Sequence, residues 1–114
     1  MIEYAMPVQV RNVEIDVNTR ANNTSVRIKL KFTEKPDKKY LANIVNKKTK
    51  LLVLDEYGKH EFDSELFYNS SRSAIIDIPQ VDDDALNYLW NLQYDKNVDP
   101  YLVVKTLEKD VVDL

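Results

Sequence analysis

Residues 99–114, DPYLVVKTLEKDVVDL, carry the helix that makes the expected fold α+β. Asp99 is a favourable N-cap, and Pro100 suits the first helical position, where a missing N–H loses nothing. Behind that start Val103, Val104, Leu107, Val111 and Leu114 gather into one apolar stripe. Lys105, Glu108 and Lys109 fall outside it, which is the pattern of a core-facing helix. A second helix is expected just before it, from Asp83 to Tyr94. Asp82 or Asp83 caps it, and the carboxylates of its first turn sit where the helix dipole favours negative charge. The apolar residues of this helix occupy two adjacent faces, Ala85, Tyr88, Leu89 and Leu92 on one and Leu86, Trp90 and Tyr94 on the other. Together they span about 240° instead of a one-sided arc. Either the C-terminal helix covers the second face, or Leu86, Trp90 and Tyr94 form a protein interface in a homo-oligomer or with a partner.

Upstream, the sequence alternates with the period of strands. Val26, Ile28, Leu30 and Phe32 interleave with Arg27, Lys29 and Lys31, so one face is apolar and the other cationic. From Val8 to Val17 the alternation changes parity, with Val8 and Val10 even and Val13, Ile15 and Val17 odd. One strand can contain both only with a bulge near Arg11 and Asn12. Leu51 to Leu54 and Phe62 to Tyr68 flank Gly58 and read as a hairpin. Ala74 to Ile78 is a further strand, stopped by Pro79. Tyr40, Leu41, Ile44 and Val45 recur at helical spacing, so a short helix is expected within residues 37–48, although a strand fits the same stretch. The expected architecture is therefore a mainly antiparallel sheet of four or five strands followed by two C-terminal helices, forming one domain over residues 1–114. That layout resembles the SecB-type export chaperones, and the resemblance implies a chaperone as one functional alternative.

Composition excludes several chemistries. The chain of 114 residues has no cysteine and a single glycine, Gly58. Thiol catalysis and cysteine-rich zinc sites are excluded, as are glycine-rich phosphate loops, dinucleotide fingerprints and the GxSxG nucleophile turn, each of which needs at least two glycines. His60 is the only histidine, in DEYGKHEFD. Its spacing from the surrounding carboxylates matches neither an EF-hand nor an HExxH helix, so it reads as part of an exposed turn. No catalytic residue, metal ligand or cofactor is assigned. The longest apolar run is Leu51 to Leu54 and the first residues carry no leader pattern, so the expectation is a cytoplasmic protein with no membrane segment. Twelve lysines against four arginines, with ten asparagines, fit AT-rich genomes, and origin in a phage or mobile element is the compositional expectation.

Charge divides the chain. Residues 1–50 hold eleven Lys or Arg against five Asp or Glu, giving +6, and residues 51–114 hold five against fourteen, giving −9. A non-enzymatic interaction domain, either an oligomeric adaptor or an inhibitor, would use Leu86, Trp90 and Tyr94 as its interface. Glu61, Asp63 and Glu65 would be its acidic face toward a basic protein partner. The alternative is nucleic-acid binding through Arg27, Lys29 and Lys31, although, apart from Phe32 on the apolar face, Tyr40 is the only aromatic residue in the basic run that extends from Arg27 to Lys50.

Overall fold

The computed structural model describes residues 2–36 and 48–106. Six strands run β1 (Ile2–Asn18), β2 (Asn23–Phe32), β3 (Lys48–Asp55), β4 (Gly58–Asn69), β5 (Ser73–Ile78) and β6 (Asp99–Thr106), with one helix, α1 (Asp83–Asn91), between β5 and β6. They close into an antiparallel barrel in the order β1-β2-β5-β4-β3-β6. The fold is therefore a β-barrel and not α+β. Among the described residues there are six strands where four or five were expected, and one helix. The expected short helix within residues 37–48 lies almost wholly outside the described residues.

The largest correction falls on residues 99–106. Instead of starting a helix, Asp99 and Pro100 open β6, with Pro100 opposite Val53 of β3, near a strand end where a missing N–H is tolerated. Leu102 and Val104 then alternate into the barrel and are fully buried. On one side β6 pairs with β1, Leu102 opposite Met6, and on the other with β3, Leu102 opposite Leu51. Pairing on both sides gives β6 two neighbouring strands and closes the ring, a gain that a helix at this position would forfeit. The sheet-then-two-helices layout that resembled the SecB-type chaperones is thereby removed, and so is the C-terminal helix that was to cover Leu86, Trp90 and Tyr94. Residues 107–114 lie outside the described residues.

The bulge in β1 is where parity required it. Val10 pairs with Leu30 and Asn12 with Lys29, so Arg11 is the extra residue. The shift lets Met6, Val8 and Val10 point inward before it and Val13 after it. Interior residues from every strand, among them Val26, Ile28, Leu30, Leu51, Val53, Leu66, Ala74, Ile76, Leu102 and Val104, make one core with Leu89 and Leu92. Ile15 and Val17 were expected on the same buried face as Val13 but are exposed. Pairing of β2 with β5 stops at Val26–Ile78, whereas β1 and β2 continue together to Asn18–Asn23, so the end of the hairpin projects as a two-stranded arm beyond the core.

Because every strand pairing is antiparallel, the turns after β1 and β3, the end of β5 and the start of β6 share one end of the barrel. Helix α1 lies at that end. Asp82 caps it, its Oδ1 accepting from the Ala85 N–H at 2.7 Å, with Asp83 and Asp84 in the first turn. The opposite end carries the turn between β4 and β5 and the end of β2, joined where the Phe32 N–H donates to the Arg72 carbonyl at 2.9 Å. No helix among the described residues is long and apolar enough to cross a membrane.

Candidate interaction surfaces

Helix α1 is fastened to the barrel by a polar clasp that begins on β3. Asp55 has the same inward parity as Leu51 and Val53, and it ends the strand at the two-residue turn that Gly58 closes. Gly58 has φ +122°, a conformation that disfavours side chains, although a Cβ would meet nothing within 4 Å. Asp55 Oδ1 accepts from the Tyr57 N–H at 2.8 Å and Oδ2 from the Tyr88 hydroxyl of α1 at 2.8 Å. His60 Nε2 approaches Oδ2 to 3.0 Å without an aligned hydrogen bond, and its ring lies against Tyr88 with centroids 4.7 Å apart. Burial alone would raise the Asp55 pKa. The bonds from Tyr88 and Tyr57, with the nearby His60, more than offset it and hold the carboxyl below its ordinary value. Burial first, then the bond to Asp55, push the Tyr88 phenol well above its usual range. His60, expected on an exposed turn, is instead a half-buried member of this clasp. No group of three or more His, Asp or Glu able to hold a metal ion occurs among the described residues.

The clasp gives an expected pH response. A carboxyl with a depressed folded-state pKa stabilises the fold above its unfolded pKa, near 4, and that stabilisation is lost as pH falls through the lower folded value. Tyr88→Phe should therefore lower stability at pH 7 by about 1 kcal/mol through the lost charge-assisted hydrogen bond. The gap from wild type should narrow at pH 3, as read by urea unfolding at both pH values. An equal gap at both would mean that the hydroxyl's contribution does not depend on the charge of Asp55, and no gap at either that Tyr88 acts through ring packing alone.

Successive residues of α1 divide the work. Tyr88 makes the clasp, Leu89 enters the core, and Trp90 turns outward. Trp90 is 40% exposed and Tyr94, just past the helix, is 68% exposed, their rings edge-to-face at 6.4 Å. Leu86 is half-buried against the core. Asp83, Leu86, Asn87 and Trp90, spaced as one helical face, line a shallow depression with Ile15, which is 42% exposed on the projecting arm of β1. Leu86, Trp90 and Tyr94 are thus brought together, and Ile15 is the apolar member that sequence reasoning placed in the core.

The acidic trio Glu61, Asp63 and Glu65 alternates along the outer face of β4. Glu61 lies 3.3 Å from Lys59 and 3.5 Å from Lys50, and the bond from Lys59 first, against a burial penalty, lowers its pKa. Asp63 is opposite Lys50, and Glu65 lies between Lys48 and Asp77. The face therefore interleaves with the lysines of β3. Of the basic trio on β2, Arg27 is bound by both carboxylate oxygens of Asp77 at 2.7 and 3.1 Å, and its guanidinium carbon sits 3.8 Å from the Phe67 ring centroid. Lys29 is 3.5 Å from Glu14. Lys31 is exposed and has no carboxylate partner among the described residues.

No protein-family model, no curated protein and no solved structure matches this chain.

Proposed function

We propose that the protein is a non-enzymatic interaction module that self-associates through the apolar strip formed by Ile15, Leu86, Trp90 and Tyr94. The observation that carries this reading is the meeting of two elements in one depression. Trp90 from α1 and Ile15 from the arm of β1 are each about two-fifths exposed, and both line it. Scattered apolar residues on a surface are ordinary, whereas an aromatic pair continuous with aliphatic side chains is the composition of an interface centre. The clasp and the buried Leu89 support the reading, because they hold α1 in one orientation and leave little to be ordered on association.

The test is mass in solution. Light scattering should show the mean mass rising above that of the monomer with concentration, and Trp90 emission should shift to the blue over the same range. Ile15→Ser with Trp90→Ser should remain monomeric with an unfolding midpoint close to wild type, since neither residue is buried. A wild-type mass that stays monomeric at high micromolar concentration, with constant Trp90 emission, overturns self-association.

A further inference from the structure

At the end of the barrel opposite α1, cations and aromatic rings share one outer face. Lys31 of β2, Lys35 just beyond it and Arg72 of the β4–β5 turn line a depression of about 350 Å³ with Phe32 and Ser71. Among the described residues none of these cations is within ion-pair distance of a carboxylate, and Glu34 is the acidic residue adjacent in sequence. The turn is rigid where it presents Arg72, because Ser70 Oγ accepts from the Arg72 N–H at 3.2 Å and from the Ser73 N–H at 3.1 Å. The aromatic residues come from a second bulge. Pairing of β4 with β5 shifts between Leu66 and Tyr68, which puts two successive outward side chains, Phe67 and Tyr68, on the surface at 56% and 53% exposure. Tyr68 pairs with Ile75, which pairs in turn with Lys29, so Tyr68, Ile75 and Lys29 form one outward row across three strands. Lys31 lies two residues further along β2, opposite Ser73.

From this juxtaposition we infer that the face made by Lys31, Lys35, Arg72 and Tyr68, with Phe67 beside them, binds single-stranded nucleic acid. The cations would take backbone phosphates and the tyrosine would stack on an unpaired base. Arg27 and Lys29 have carboxylate partners and would contribute little, whereas the three cations at the barrel end have none among the described residues and can neutralise phosphate. An exposed ring adds affinity only for a ligand with accessible base faces, which a duplex lacks. The site lies away from Trp90 and Ile15, so it stands or falls independently of self-association.

The experiment is anisotropy of a labelled mixed-sequence single strand, as DNA and as RNA, at about 50 mM salt, where phosphate contacts are least screened. Duplex DNA and anionic phospholipid vesicles serve as competitors. Saturable binding to the single strand, displaced less well by duplex or vesicles, is expected. Replacing Lys31, Lys35 and Arg72 with alanine should reduce the slope of log affinity against log salt by about 2, since single strands release roughly 0.7 counterion per phosphate contacted. Tyr68→Ala should weaken binding about tenfold at unchanged slope, the effect of losing one stacked base. All four side chains are exposed, and circular dichroism should confirm unchanged folding. Binding of duplex or vesicles in preference to the single strand, affinity indifferent to Tyr68→Ala, or no binding at about 50 mM salt would each overturn the inference.

Discussion

Leu89→Ala is expected to destabilise the protein by about 3 kcal/mol, among the largest effects of any single truncation in α1. Leu89 is the fully buried side chain of the helix and packs in the barrel core beside Leu92. Removing its isobutyl group loses the transfer free energy and leaves a cavity between rigid strands that cannot collapse to fill it. Nine residues are too few to hold a helix in isolation, so α1 exists because it is docked. The loss should therefore appear twice, as a lower urea midpoint and as weakened helical circular dichroism before global unfolding. Leu86→Ala, at a half-buried position one turn earlier, should cost clearly less. A Leu89→Ala penalty below about 1 kcal/mol would mean that α1 is held mainly by the clasp and its cap.

The features that sequence made legible are those decided by neighbours in the chain. VRIKLKF states its own inward and outward faces, and the change of parity between Val10 and Val13 locates the bulge, because side chains must alternate. Gly58, Pro79 and the Asp82 cap are likewise local. What stayed hidden depends on pairing across the barrel. Val103, Val104 and Leu107 satisfy a helical stripe, and Asp99–Pro100 satisfies a helix start, so nothing within the segment opposes a helix. The strand wins because β1 and β3 each offer a row of backbone groups that residues 99–106 complete. Alternation likewise places Ile15 and Val17 on the face of Val13 without saying where the core ends, and the arm of β1 and β2 outruns the strands beside it.

The candidate surfaces show the same division. Leu86, Trp90 and Tyr94 were legible because one helix presents them, and Ile15 was not, since it arrives from residues far away in the chain. The clasp left a usable trace: Asp55 continues the parity of Leu51 and Val53, and His60 that of Phe62, so both pointed inward on the hairpin even though Tyr88 could not be foreseen as their partner. The aromatic residues missing from the basic run were present in the sequence as Phe67 and Tyr68. Only the strand order β2-β5-β4 brings them onto the face of Lys29 and Lys31.

A double-mutant cycle on Thr49 and Ser64 should give the second large effect and show how the barrel tolerates polar groups inside. The two residues are directly opposite on β3 and β4, both are buried, and their hydroxyl oxygens are 2.6 Å apart. Thr49→Val keeps the shape of the side chain but leaves the Ser64 hydroxyl without that partner, which should cost about 2 kcal/mol, and Ser64→Ala should strand Thr49 at a similar cost. In the double variant neither stranded hydroxyl remains, so its loss should be no larger than either single loss, with a coupling of about 2–3 kcal/mol measured from urea unfolding. Additive losses would require each hydroxyl to be satisfied elsewhere and would place the stabilisation at this rung in the backbone ladder. Strong coupling would instead mark the pair as one closed polar unit, tolerated in the interior because each hydroxyl supplies what burial takes from the other.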